Sequence, residues 1–239
     1  MKSFSFDIES ELAHFRDPGS HAFLNTFVAP PAHTVVGLLG SCCGFSELET
    51  ENILSPNVSV GCRVISISGY LRDLVNMQNQ KGKMSKRFPR ARKFIVGAKY
   101  KLYVATGKPD LILGLREAVE SPKHVPYLGI SDCLACIRNI SKILEAKETE
   151  LKETDMVIPM THTFNTGNDL DYYVTIKDEC KMTVYPQLVK TPRYYEISDY
   201  GRRPLGYQTL LMSVNCNIHF RRKIYKGYLI DKEQVCLMG

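Results

Sequence analysis

The sequence predicts an α+β fold. Its core runs strand, helix, strand, strand, helix, strand, with a basic insertion between the second and third strands. A smaller β-rich region follows. Three observations predict this. Period-two apolar alternation at Ser3–Glu9, Val58–Ser68 and Ala98–Ala105 is interrupted by helical spacing after Pro31 and after Pro109. The run Gln78–Lys108 carries ten Lys or Arg and no Asp or Glu. Beyond a charged, mostly acidic segment at Glu145–Asp155, the sequence is rich in strand formers.

Length and composition bound the reading. A chain of 239 residues buries a large core in one or two domains. Apolar content of 44% and charged content of 23% are ordinary for a globular protein. The net charge is only +6, so the basic run is more positive than the whole chain. There is no Trp, so any stacking falls to Tyr, Phe and Arg. No apolar run is long enough for a signal peptide or a spanning helix, which predicts a cytoplasmic protein with no membrane contact. The eight Cys are then expected as reduced, buried thiols. Cys133 and Cys136 form the only CxxC, without a second pair at zinc spacing, so neither metal nor cofactor is expected.

Each element has its own warrant. Phe4, Phe6 and Ile8 alternate with polar residues, a half-buried strand. A loop follows, with turn signals at Asp17-Pro18-Gly19 and Pro30-Pro31. The apolar stretch from Ala32 has helical spacing, places His33 and Thr34 near its cap, and aligns Gly37, Gly40 and Gly44 as a small-residue face. Val58–Ser68 is β-branched and alternating. In Ala98–Ala105, Tyr100, Leu102 and Val104 share one face and Lys99, Lys101 and Tyr103 the other. Gly82, Pro89 and Gly97 break the basic run between these strands. Pro109 at a first helical position and Asp110 in the first turn start a helix that reaches about Glu120, where Ser121-Pro122 stops it. Tyr127–Ala135 is a tight turn. Ile137, Ile140, Ile143 and Leu144 have helical spacing, yet element order favours a strand there. Strands are expected at Tyr172–Tyr185, Arg193–Ile197, Tyr207–Phe220 and Lys223–Val235.

Four features carry chemistry, each beside a plainer reading. The basic run interleaves Phe88, Phe94, Tyr100 and Tyr103 among its cations, a composition suited to phosphates and unpaired bases; a solvated loop is the alternative. The helix start at His33 and Thr34 is either a phosphate seat or a solvated end. The loop Asp199–Tyr207 sets Arg202 and Arg203 between two glycines, either reaching a phosphate or lying in solvent. Lys123-His124, followed by Tyr127, is a candidate acid–base pair, whereas His162 and His219 are isolated, and a solitary His is more often structural. No Walker loop, HExxH or GxSxG is present.

The element order is that of the split βαβ, or ferredoxin-like (RRM-like), fold. Leu12-Ala13-His14-Phe15-Arg16, Val28-Ala29-Pro30-Pro31, Thr34-Val35-Val36-Gly37-Leu38-Leu39-Gly40 and Tyr127-Leu128-Gly129-Ile130-Ser131-Asp132-Cys133-Leu134 occur in that order. Together they resemble the CRISPR-associated Cas-five family, a RAMP-superfamily subunit of the type I Cascade surveillance complex. The likeness covers roughly residues 3–150, and length and the first motif are most similar to subtype I-B. The resemblance implies a non-catalytic subunit that caps the crRNA and holds its 5′ handle. The insertion, at about 72–98, would be a thumb over the RNA. Lys81, Lys83, Lys86, Arg87, Arg90, Arg92 and Lys93 would meet phosphates there, and Phe88 and Phe94 would wedge or stack. His14, Arg16, His33 and Thr34 would seat the handle on the body, Gly129 and Ser131 would offer backbone, and Arg202 and Arg203 would add cations. Implied partners are a backbone (Cas-seven family) subunit, a large (Cas-eight family) subunit and, through the complex, target DNA. The implied division is a ferredoxin-like domain at 1–148 and a β-rich region at 149–239. One branch of the family, subtype I-C, cleaves pre-crRNA itself, but its Lys-His spacing from the Tyr-Leu-Gly turn differs from that of Lys123-His124.

Overall fold

A computed structural model describes residues 1–20, 23–79, 86–160, 172–199, 201–221 and 225–239, with backbone only at 77–79 and 86–88. Strand β1 (Lys2–Ala13) continues as the short pair β2 (Phe15–Arg16) and β3 (Thr26–Phe27). Helix α1 (Ala32–Cys43) follows, then one turn, α2 (Glu47–Glu49), which widens into a π-helical turn at Thr50–Leu54. Strands β4 (Ser59–Ser66), β5 (Gly69–Asn79) and β6 (Lys86–Thr106) precede α3 (Pro109–Glu120). Short strands follow: β7 (Cys136–Arg138), β8 (Leu144–Glu145), β9 (Lys147–Leu151), β10 (Glu153–Thr154), β11 (Ile158–Met160) and β12 (Tyr172–Ile176). The last strands are β13 (Val184–Ser198), β14 (Gly201–Val214), β15 (Cys216–Phe220), β16 (Tyr225–Ile230) and β17 (Glu233–Val235).

The main sheet has the order β4-β6-β1-β7, antiparallel throughout, with β8 also on β1 and β5 on β6. Alternation sorts its residues. Phe4, Phe6, Ile8, Tyr100, Leu102 and Val104 are fully buried with Val35 and Leu39 of α1 and Ile112 and Leu115 of α3. Each such side chain contributes roughly 1.5–3 kcal/mol by leaving water. Phe4 and Phe6 are therefore core. The Tyr100 hydroxyl donates to Val28 O at 3.0 Å, so its burial leaves no orphan. On the opposite face, Tyr103 packs with Leu151, Met156, Ile158, Leu211, Ile218 and Tyr225.

Ionic contacts fasten this second layer. Arg63 Nε donates to Asp155 Oδ1 at 2.8 Å, and Arg63 also pairs with Glu233 at 3.2 Å. Glu233 accepts from Lys101 at 2.7 Å and from the Tyr103 hydroxyl at 2.5 Å. Lys177 caps Asp155 at 2.7 Å.

The helix expected at Pro109–Glu120 forms with those bounds, and Ile137 lies in a strand, not a helix. Several expectations are corrected. The glycines do not form one backbone-approach face. Gly37 opens to space, Gly40 faces the Thr50 side chain, and Gly44 lies past the helix end. Pro31 occupies the cap of α1, with no side-chain cap from His33 or Thr34. The loop expected from Leu12 onward begins as strand, because β1 runs to Ala13. The charged segment 145–155 is also strand: β9 pairs with β16, and β10 with β15. The Asp199–Tyr207 loop is a hairpin, with Ile197 opposite Arg202 and Glu196 opposite Arg203. Cys136 and Cys180 are exposed, unlike the other thiols.

The basic run is also a hairpin. β5 pairs with the first half of β6 from Gly69↔Val96 to Asn79↔Lys86. Gly97 marks the change of partner, because β4 leaves β6 at Lys99 and β5 joins at Val96. Its φ of +62° is one that few side chains adopt, and a Cβ there would press on Ser68. Lys81 and Lys83 lie outside the described residues, as do the side chains of Lys86, Arg87 and Phe88.

Candidate functional site

The sequence-predicted body residues converge on one cleft of about 590 Å³. Five segments line it. The β1–β2 corner supplies His14, Phe15 and Arg16, and the start of α1 supplies His33, Thr34 and Gly37. The α2 region gives Phe45, Glu47 and Glu51, the turn after α3 gives His124, Tyr127 and Gly129, and the β13–β14 hairpin gives Tyr195, Arg202 and Tyr207.

Local chemistry fixes each group. Phe15 N donates to Thr26 Oγ1 at 2.8 Å, locking the corner that presents Arg16. Arg16 is exposed and has no ion pair among the described residues. His14 is buried. Its Nδ1 donates to Lys93 O at 2.8 Å, and its backbone N–H donates to Leu128 O at 3.2 Å. Burial, followed by the nearby cations Arg92 and Arg16, lowers its pKa, so it joins the cleft to the basic hairpin as a neutral ring. Gly129 has φ +90° and lies against the His14 carbonyl, closing a turn in which Leu128 N donates to Cys133 O at 2.8 Å.

His33 donates from Nδ1 to Pro192 O at 3.2 Å and meets Tyr195 edge-on at 5.4 Å. Burial lowers its pKa to about 4. Arg202 forms a two-pronged pair with Glu47, one prong being Nε to Oε2 at 2.8 Å. That hydrogen bond, ahead of other effects, lowers the Glu47 pKa. Arg203 instead faces Glu196 at 3.9 Å on the exposed side, and Ser131 is exposed outside the lining.

The candidate acid–base pair is split. The Lys123 stem lies where a Cβ on Gly44 would be, and its N–H donates to Cys42 O at 2.9 Å, while His124 lines the cleft.

The hairpin base forms a second cationic surface beside the cleft. Alternation puts Arg90 and Arg92 on one face, with Lys93 and Arg72 on the other. Lys93 Nζ stands 3.7 Å over the Tyr70 ring. Phe94, a candidate wedge, is buried against His14 at 5.8 Å, so it serves the hairpin root.

Glu47, Glu51, Phe45 and Tyr195 were not legible as site residues. Nothing in their local spacing sets them apart from ordinary core and surface positions. The assembled cleft is lined by Arg16 and Arg202, by aromatic rings, by the buried imidazoles of His14 and His33, and by two carboxylates. Its volume suits a ligand of nucleotide size.

The family model described as CRISPR-associated protein (Cas_Cas5) matches residues 4–190. A CRISPR protein from Archaeoglobus fulgidus aligns over 98% of both chains with a TM-score of 0.56 and 12% identity. A chain of a CRISPR RNA-guided surveillance complex aligns over 89% of both, with a TM-score of 0.52 and 12% identity. A chain described as a Cas protein is 22% identical over 54% of this chain, with a TM-score of 0.39. This chain spans only 57% of that protein's length. No curated protein matches. At 12% identity the first two likenesses establish a shared fold and nothing more.

Proposed function

The chain belongs to the CRISPR-associated Cas5 family, and on that premise we propose that it is a non-catalytic crRNA-binding subunit of a type I surveillance complex. It caps the guide and holds its 5′ handle in the cleft, with the β5–β6 hairpin as the thumb beside it. The sheet order, with a helix after its first and third core strands, supports a ferredoxin-like scaffold. The motif at Leu12–Arg16 favours subtype I-B.

One observation carries the proposal. His14, Arg16, His33, Thr34, Gly129 and Arg202, far apart in sequence, line a single cleft joined through His14 to a cationic hairpin. Splayed handle bases suit such a cleft, because they can be held by stacking and by their edges. Arg90, Arg92 and Lys93 at the hairpin base supply phosphate contacts along the same path. The hairpin meets the first backbone (Cas-seven family) subunit. The C-terminal strands meet the large (Cas-eight family) subunit, and target DNA is met through the complex. The setting is the prokaryotic cytoplasm; among the described residues, no helix is long and apolar enough to cross a membrane.

The test is a salt titration of binding between the full chain and a repeat-derived RNA. Neutralising about five phosphates gives a log–log slope near −3.5, and Arg16→Ala reduces its magnitude by about 0.7. A flat response, unchanged in Arg16→Ala, would refute RNA binding at this cleft. A second reading, metal-independent cleavage of pre-crRNA, is favoured only by His124 and Tyr127 facing the same cleft. Site-specific cleavage of the repeat RNA in chelator, lost in His124→Ala, would establish it; intact RNA supports the non-catalytic reading.

A further inference from the structure

A second aromatic–cationic feature lies away from the cleft, on the small sheet β10-β15-β12. Glu153, His219 and Tyr173 stand in one row across its three strands, with Thr175 opposite Asn217 in the next. Tyr172, Val174 and Ile218 alternate to the other side. Ile218 is buried in the second core, and Tyr172 and Phe220 pack against it.

The row is rigid. His219 Nδ1 lies 2.9 Å from Glu153 Oε2, and its Nε2 lies 2.9 Å from Thr175 Oγ1. With both nitrogens engaged, the ring cannot turn. Tyr173 stacks flat on it, with centroids 4.5 Å apart and planes 6° apart. The Arg221 guanidinium carbon stands over the Tyr173 ring, 5.4 Å from its centroid. Tyr173 nevertheless remains 45% exposed.

We propose that Tyr173, His219 and Arg221 form a stacking platform for an unpaired nucleotide of single-stranded nucleic acid, distinct from the cleft. A flat ring already held in place loses little freedom when a base lies on it. Arg221 supplies the cation for the adjoining phosphate. The neighbours in these rows are Glu153, Thr175, Asn217 and His219, with no exposed aliphatic side chain among them. An apolar protein surface would find little to bury there, whereas a base needs one ring and a polar rim.

Because the chain has no Trp, Tyr173→Trp installs a single fluorophore on the platform. Circular dichroism checks that the variant folds. Addition of oligouridylate of about 12 nucleotides, within the span of ordinary single-strand sites, should quench its emission saturably. The added change Arg221→Ala should raise the half-quenching concentration about fivefold, the scale of one lost phosphate contact. Quenching should persist when Arg16 and Arg202 are both replaced by Ala, which separates this site from the cleft. Unchanged emission while the labelled oligonucleotide is bound, by anisotropy, would overturn the proposal. So would an emission change that needs a partner subunit and occurs without RNA, because that would assign the face to protein.

Discussion

Gly129→Ala tests whether the cleft depends on the turn that closes it. At φ +90° an alanine is strained by about 1–3 kcal/mol. Its Cβ would lie 2.8 Å from the His14 carbonyl carbon and nearer still to the oxygen. Those atoms are backbone, so no rotamer change relieves the contact and the turn must move. Movement breaks the bond from His14 N to Leu128 O, now 3.2 Å, at a further cost of about 1 kcal/mol. A total near 3 kcal/mol lowers the melting temperature by about 6–12 °C for a chain of this size. Thermal melts by circular dichroism read this directly. RNA affinity, measured well below the transition, should fall as well, because His14 and Gly129 both line the cleft. Ser131→Ala, exposed in the same turn, is the control and should leave both unchanged. If Gly129→Ala melted within about 2 °C of the parent and bound RNA equally well, less than 1 kcal/mol would separate them, and the turn would not govern the cleft.

Three further outcomes follow from the charges. Burial alone would raise the Asp155 pKa, but Arg63 and Lys177 outweigh it and hold it low, and Lys101, Tyr103 and Arg63 do the same for Glu233. Stability from both carboxylates is therefore complete above their unfolded values near pH 4 and is lost as pH falls through the lower folded values; Asp155→Asn should flatten the acid limb of melting temperature against pH, and parallel curves would refute the coupling. His33, lowered to about 4, should show no NMR titration between about pH 5.5 and 7.5, and its contribution to stability should decline as pH drops from about 6.5 towards 4; an inflection near 6.5 would contradict its burial. Glu47→Gln removes the carboxylate that occupies Arg202, so RNA should bind severalfold tighter with a steeper salt slope; weaker binding would show that Glu47 positions Arg202 instead.

What the sequence made legible follows from where its pattern has contrast. Helix α3 was readable because Pro109 and Ser121-Pro122 punctuate an apolar stripe. The two long hairpins were not. In Leu71–Asn76 and in Gly201–Tyr207, both strand faces meet solvent over much of their length, so no period-two contrast survives. Arg202 was identified as a cation, but its partner Glu47 lies 155 residues away, and nothing local to either announces the pair. The same holds for the cleft: its members were named singly, and only tertiary packing brings five segments around one space. Phe94 failed as a wedge because tertiary burial beside His14 outweighed the basic context in which it was read.

The protonation states limit how the cleft can work. His14 and His33 are both held neutral by burial, and Arg202 is already engaged by Glu47. Of the cations lining the cleft that sequence reasoning assigned to the handle, Arg16 alone stands exposed with no ion pair among the described residues. A cleft with so little net positive charge attracts a polyanion weakly at long range. Its selectivity therefore has to come from shape, ring faces and the acceptor Glu51, which favours base edges that carry N–H groups. On the proposed reading, long-range attraction belongs to the hairpin, where Arg72, Arg90, Arg92 and Lys93 are spread over both faces. The salt dependence of binding should accordingly be lost mainly through substitutions on the hairpin, and discrimination among RNA sequences through substitutions in the cleft. That division of labour requires the two to be joined, and the bond from His14 Nδ1 to Lys93 O is the joint.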